Sequence, residues 1–212
     1  MHELLIKINH AVQKRQKDEL IPFIEAAIEA GLDPKEIIDK GLITAMDVVG
    51  SEFSDGIIFV PEMLVSAMLM KKGLKLIKPL IASGGEDKKG TVLIGTVKGD
   101  LHDIGKNIVV MLLEGAGFEV VDLGVDLSVE QVVTKVVELK PQILGLSALL
   151  TTTMPEMKKA IAALTESGFR EQVKVMVGGA PLNQSFADSI GADGYAKDAA
   201  EAVSLARKMI AA

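Results

Sequence analysis

The sequence predicts an N-terminal α-helical bundle followed by an α/β domain with a doubly wound, five-stranded parallel sheet. Three observations lead there. Residues 1–82 place apolar side chains at helical spacing throughout; residues 83–90 form a small, polar, glycine-rich break; and from residue 91 short apolar runs alternate with helical patterns. The expected organisation is a four-helix bundle over 1–82, a linker over 83–90 and an α/β domain over 91–212.

In the bundle, Leu4, Leu5, Ile8, Ala11 and Val12 share one face of a first helix, and Lys14-Arg15-Gln16-Lys17 reads as a solvated helix face. Leu20, Ile21, Ile24, Ala27 and Ile28 form the stripe of a second helix, which Gly31 stops. Asp33 is a candidate N-cap with Pro34 in the first helical position, opening a third helix through Ile37, Ile38, Leu42, Met46 and Val49. Val60-Pro61 opens a fourth, carrying Leu64, Met68 and Leu76 as far as Pro79. Short connections make these an antiparallel bundle. The linker composition predicts an exposed segment able to bend.

In the second half, strands are expected at 91–97, 118–123, 142–147, 173–177 and 194–196, and helices at 105–116, 128–139, 154–167, 183–190 and 198–211. Five βα units of this length build a parallel sheet with helices on both faces.

Composition narrows the function classes. The chain has 212 residues, 49% of them hydrophobic and only 3% aromatic, enough for a real core in each half. A net charge of −6 with mixed signs does not indicate a nucleic-acid surface. Absence of cysteine fits a reducing cytoplasm. Glu3 and Lys7 interrupt the N-terminal apolar stretch, so no signal peptide is expected, and the apolar run 57–70 contains Pro61, Glu62 and Ser66 and is too short to span a bilayer.

The chemistry concentrates in Gly99-Asp100-Leu101-His102-Asp103-Ile104-Gly105-Lys106-Asn107, at the carboxyl end of the first strand, where open α/β sheets bind ligands. Five residues separate Gly99 from Gly105 and Asn107 follows Lys106, so a phosphate loop does not fit; the G-x-G-x-x-G fingerprint is absent as well. His102 is the one histidine beyond the N-terminal segment. A zinc site takes three or four protein ligands, which one histidine between two aspartates does not assemble. A metal already held in a macrocycle needs a single axial ligand; the plainer reading is a turn histidine satisfied by Asp100.

The segment resembles the D-x-H-x-x-G signature of the cobalamin-binding domains of methionine synthase and of the small corrinoid proteins of methyltransfer systems. Further matches extend the resemblance over nearly the whole chain: Gly145-Leu146-Ser147 through Thr153, Gly178-Gly179 after the fourth strand, and in the bundle Phe53 and the Phe59-to-Met63 segment. It implies a Rossmann-like (flavodoxin-like) cobalamin-binding domain holding cobalamin or a related corrinoid base-off, with His102 as the lower cobalt ligand. Asp100 would then hold the other imidazole nitrogen, fixing the tautomer, and cobalt binding would be sensitive to pH. Asp103, Ile104 and Gly105 border the ligand loop, and Gly105 would let backbone approach the cofactor's nucleotide tail. Ser147 is placed near that tail, Leu149 and Thr151 near the corrin, and Gly178 and Gly179 beneath the tail.

Thr153 occupies the position where methionine synthase has a serine extending the His–Asp pair, so a relay His102–Asp100–Thr153 is one reading. A capping box over Thr153-Met154-Pro155-Glu156 is the other. Phe53, in a glycine-flanked turn, and Val60 match side chains that cap the upper corrin face, while Met63 reads as bundle core.

The function implied is a methyl carrier. A substrate-specific methyltransferase (methylamine, methanol, betaine or aryl methyl ether type) would methylate Co(I). A second methyltransferase would pass the group from methyl-Co(III) to coenzyme M or tetrahydrofolate, with a reductive activase as a further partner. Nothing in the sequence supplies a substrate domain, so the chain is expected to be non-catalytic alone. The alternative is a cobalamin-binding domain of an adenosylcobalamin mutase or of a cobalamin-dependent regulator. A nucleotide-binding or receiver-like signalling domain would leave His102 without a purpose.

Overall fold

The computed structural model describes residues 2–81 and 89–211, apart from the side chains of Lys78 and Ile81. Residues 82–88, most of the expected linker, lie outside the described residues. The chain divides into two compact units, the helical one and the one built on the sheet.

The helical unit runs α1 (Glu3–Gln13), α2 (Leu20–Glu29), α3 (Pro34–Glu36), a π-helical turn (Ile37–Ile43), α4 (Thr44–Ser54) and α5 (Val60–Ile81). Asp33 caps α3 as its sequence position predicts, its Oδ1 accepting the Lys35 N–H at 3.0 Å. The expected third helix is therefore one continuous helical segment, re-phased in the middle by the π turn. Leu5, Ile8, Leu20, Ile24, Ile37, Leu42, Met63, Met70 and Ile77 are all fully buried. At roughly 1.5–3 kcal/mol for each such side chain, their burial outweighs any propensity effect in these short helices.

Three expectations are corrected in this unit. The Lys14–Lys17 cluster is no helix face: α1 ends at Gln13, and Arg15 takes a left-handed conformation in the turn to α2. Phe53 lies in the last turn of α4, half-buried, and the turn proper begins after Ser54. Helix α5 passes through Pro79 to Ile81, without the one intrahelical bond that the proline nitrogen cannot donate.

The sheet unit continues the chain as β1 (Thr91–Thr96), α6 (Ile104–Gly115), β2 (Glu119–Asp122), α7 (Val129–Leu139), β3 (Ile143–Ser147), α8 (Met154–Glu166), a 3-10 turn (Arg170–Gln172), β4 (Lys174–Gly178), α9 (Gln184–Ile190), β5 (Gly194–Ala196) and α10 (Ala199–Ala211). All strand pairs are parallel, in the order β2-β1-β3-β4-β5. One side of the sheet buries Leu93, Leu144, Leu146, Val175 and Val177 against Val132 and Val136 of α7, Met157 and Leu164 of α8 and Ala187 of α9. The central strands β1, β3 and β4 are close to continuously apolar, as strands covered on both faces must be. The chain reverses its winding between β1 and β3, so the loops leaving those two strands part and open a crevice at the carboxyl edge.

Candidate functional site

The β1–α6 loop carries Asp100 and His102 into that crevice, and the β3–α8 loop carries Leu149, Leu150 and Thr153 to meet them. Asp100 is wholly buried. Its Oδ1 accepts the His102 backbone N–H at 3.1 Å and faces His102 Nδ1 at 2.7 Å. Its Oδ2 accepts the Leu149 N–H at 2.8 Å, the Leu150 N–H at 3.2 Å and the Thr153 hydroxyl at 2.8 Å. Burial pushes the Asp100 carboxyl up, but the hydrogen bonds from Leu149, from the His102 backbone and ring and from Thr153 outweigh it and hold it well below the usual carboxylate range.

An ionised Asp100 decides the tautomer of His102. In the neutral ring Nδ1 carries the proton toward the carboxylate, and Nε2 keeps the lone pair. The ring is half exposed, at 51% of its side-chain surface, while its backbone carbonyl is tied down by the buried Thr96 hydroxyl at 3.0 Å. Around the ring the two loops expose Leu101 (71%), Ile104 (75%), Leu149 (42%) and Leu150 (41%), an apolar surface. Among the described residues, no three His, Cys, Asp or Glu side chains converge as a site for a bare ion.

The remaining candidates fall into place unevenly. Thr153 stands at the N-cap position of α8 but its side chain makes no capping bond; the Glu156 N–H bonds the Thr153 carbonyl at 3.0 Å instead. The capping-box reading of Thr153 is thereby set aside, and the hydroxyl has Asp100 and the Leu150 carbonyl, at 2.9 Å, as its two acceptors. Asp103 is turned toward Asn107, accepting its side-chain amide at 3.1 Å. A Cβ built on Gly105 would meet nothing within 4 Å, so the protein itself does not demand glycine there. Gly179 is the opposite case. At φ +142° its Cβ would fall 1.9 Å from the Ala148 carbonyl oxygen, a reason for glycine internal to the chain. Ser147 ends β3, half-buried, and Thr151 is exposed in the loop beyond it.

In the helical unit, Phe53 and Val60 flank the α4–α5 turn and are both half-buried; Met63 is fully buried in the bundle core, as expected. Within that turn the Glu62 carboxylate accepts the Phe59 N–H at 2.7 Å and fixes the start of α5.

Sequence reasoning missed three supports of the loop: Thr96, Asp126 and the pair between the buried Lys106 ammonium and Asp122. Lys106 stood in the quoted motif but offered no hint of its partner, and Asp126 carries no signal beyond tolerance of a left-handed backbone.

Residues 90–204 match the B12 binding domain family, and residues 4–78 match a second B12 binding domain family. The dimethylamine corrinoid protein 1 of Methanosarcina acetivorans is 45% identical over 210 residues, covering 99% of this chain and 98% of that protein. The trimethylamine corrinoid protein 2 of Methanosarcina mazei is 44% identical over 203 residues, covering 95% of this chain and 93% of that one. In structure, the chain is similar to a chain of the methanol:cobalamin methyltransferase complex MtaBC from Methanosarcina barkeri, with a TM-score of 0.87 and 38% identity over 99% of this chain and 80% of that chain.

The chain belongs to the B12-binding family.

The residues fit a corrinoid of the kind this family binds. A macrocycle brings four equatorial ligands of its own, so one imidazole nitrogen is the only donor required of the protein. Among the described residues His102 Nε2 has the chemistry of such a donor, on a ring whose Nδ1 lies 2.7 Å from Asp100 Oδ1. The exposed leucine and isoleucine side chains give an apolar seat for a flat ring. The open space at Gly105 lies at the start of α6, where free backbone amides favour an anionic tail.

Proposed function

We propose that this chain is a corrinoid methyl carrier, the mobile-group subunit of a methyltransferase system, with His102 as the lower ligand to a base-off corrinoid. The single observation behind this reading is the buried Asp100 carboxylate at 2.7 Å from Nδ1, which orients the ring and leaves Nε2 facing outward as the candidate donor. When bound, the corrinoid supplies a cobalt centre that takes up and gives away a methyl group. Asp100 fixes ring orientation and tautomer. Thr153 completes the line by donating to the second carboxylate oxygen. Gly105 and Ser147 receive the nucleotide tail, with Gly178 and Gly179 shaping the floor beneath it, and Asp103, Ile104, Leu149 and Thr151 border the ring.

Phe53 and Val60 serve as covering side chains from a bundle domain over 1–82, joined through 83–90 to the corrinoid domain over 91–212. A reactive, easily oxidised metal centre gives such a cover its rationale. Relatives named for dimethylamine and trimethylamine support a methylamine methyltransferase as the donor partner. A second methyltransferase acting on coenzyme M or tetrahydrofolate would be the acceptor partner, and a reductive activase would maintain the cofactor, all in the cytoplasm. Among the described residues no helix is long and apolar enough to cross a membrane.

The test is spectroscopic. The protein is reconstituted with cobalamin after growth on ¹⁵N-histidine, reduced to Co(II), and probed for nitrogen hyperfine coupling. Coupling to a protein imidazole in the parent and its loss in His102→Ala is the expected result; coupling that survives the substitution overturns the reading.

A further inference from the structure

The loop between β2 and α7 holds the ligand loop at both ends, and the proposed role assigns it nothing. At its start, the Asp122 carboxylate pairs with Lys106 in the first turn of α6; the lysine side chain is 2% exposed and also donates to Asn107 Oδ1 at 2.9 Å. Asn107 in turn reaches Asp103. In the middle, the Thr96 N–H donates to the Gly124 carbonyl at 3.0 Å and the Leu127 N–H to the Thr96 carbonyl at 3.1 Å. Toward its end, Asp126 makes two bonds to the residues just before His102. Its Oδ1 accepts the Gly99 N–H at 2.7 Å, and its own N–H donates to the Asp100 carbonyl at 3.1 Å.

Asp126 holds a left-handed backbone, φ +55°, which costs an L-residue about 1 kcal/mol or more relative to glycine. Glycine would relieve that cost but would forfeit the acceptor for Gly99. Aspartate therefore stands where backbone strain is accepted together with a bond to the ligand loop.

We infer that Asp126 is a positioning residue for the axial ligand: by fixing Gly99 and Asp100 from outside, it sets where the Asp100 carboxylate stands and hence how the His102 ring is aimed. The inference rests on the reading of His102 as cobalt ligand. It predicts a separable effect, because Asp126→Gly removes the strap while relaxing the backbone, whereas Asp126→Asn keeps an oxygen acceptor and tolerates the left-handed conformation.

Both variants are made in the full chain and read two ways. Without cofactor, exchange of the Gly99 amide is monitored by NMR; with cobalamin as Co(II), the fraction showing imidazole coupling is titrated. Asp126→Gly should speed Gly99 exchange about tenfold, the effect of losing one charge-assisted bond, and should lower the ratio of histidine-on to histidine-off cobalt about fivefold. Asp126→Asn should stay close to the parent in both. An unchanged ratio in Asp126→Gly, or an equal fall in Asp126→Asn, overturns the inference. His102→Ala run alongside keeps the outcomes distinct: imidazole coupling that persists there overturns the ligand assignment instead.

Discussion

Asp100 and His102 face one another through Oδ1 and Nδ1 at 2.7 Å, the carboxylate wholly buried and the imidazole half in solvent. A buried anion is tolerated only when its lone pairs are met. Here two backbone N–H groups and one hydroxyl meet the oxygen that the ring does not use. At neutral pH the pairing makes the carboxylate an acceptor and the ring an Nδ1 donor, a property of the cofactor-free protein that mutation and pH can probe directly.

Asp100→Asn puts an NH₂ group against donors on one side or the other. Loss of stability of about 2 kcal/mol is expected from the mismatched buried donors, measured by urea unfolding at neutral pH. The pH profile carries the sign. Asp100 is held below the usual carboxylate range in the folded chain, so the unfolded chain takes up its proton first on acidification. Its contribution is complete above the unfolded carboxyl value of about 3.9 and is lost as pH falls below it toward the folded value. The difference in unfolding free energy between parent and Asp100→Asn should be flat from neutral pH down to that point and should shrink below it.

Thr153→Ser and Thr153→Val separate hydroxyl from shape. Serine keeps the donor to Asp100 and should change stability by less than about 1 kcal/mol; valine removes a bond to a charged group and should cost about 1.5–3 kcal/mol. Equal losses in the two variants, by thermal or urea unfolding, would show that the methyl group and not the hydroxyl matters.

The Lys106–Asp122 pair is asymmetric, with side chains 2% and 34% exposed. Removing the acid strands a buried ammonium, whereas removing the lysine leaves a carboxylate that water can reach. Asp122→Ala should therefore cost about 3 kcal/mol or more, and Lys106→Met distinctly less. Denaturant titration of both decides the order.

Gly105→Ala and Gly179→Ala should move in opposite directions. Alanine at Gly105 meets nothing within 4 Å and should raise cofactor-free stability by about 0.4–1 kcal/mol, by restricting the unfolded chain. It should nevertheless weaken cobalamin binding if the open space belongs to the tail. Alanine at Gly179 meets the Ala148 carbonyl and should destabilise the fold whether or not cofactor is present. Thermal melts and a cobalamin titration check both.

The sheet and its helices were legible because each is a local pattern: β-branched runs of strand length, then apolar stripes at helical spacing, so that expected and observed elements differ by about one residue at most ends. The His102 loop was legible from one motif. What escaped were relations between loops far apart in sequence. Nothing near Asp126 tells that its carboxylate will reach Gly99, and nothing near Lys106 tells that Asp122 awaits it. Thr153 shows the same limit from the other side: its neighbours spell a helix cap, yet a carboxylate 53 residues earlier in the chain holds the hydroxyl. The Lys14–Lys17 cluster and Phe53 were misplaced because charge and glycine mark surface and turns without fixing where a helix ends.

A single carboxylate that serves both an imidazole and two amides of the neighbouring loop makes the two segments mechanically one. Whatever nudges Leu149 or Leu150, a macrocycle edge or an enzyme surface, shifts the anion that steers the ring, and whatever tugs on the ring strains those amides in return. The crevice wall is in that sense a lever whose fulcrum is Asp100.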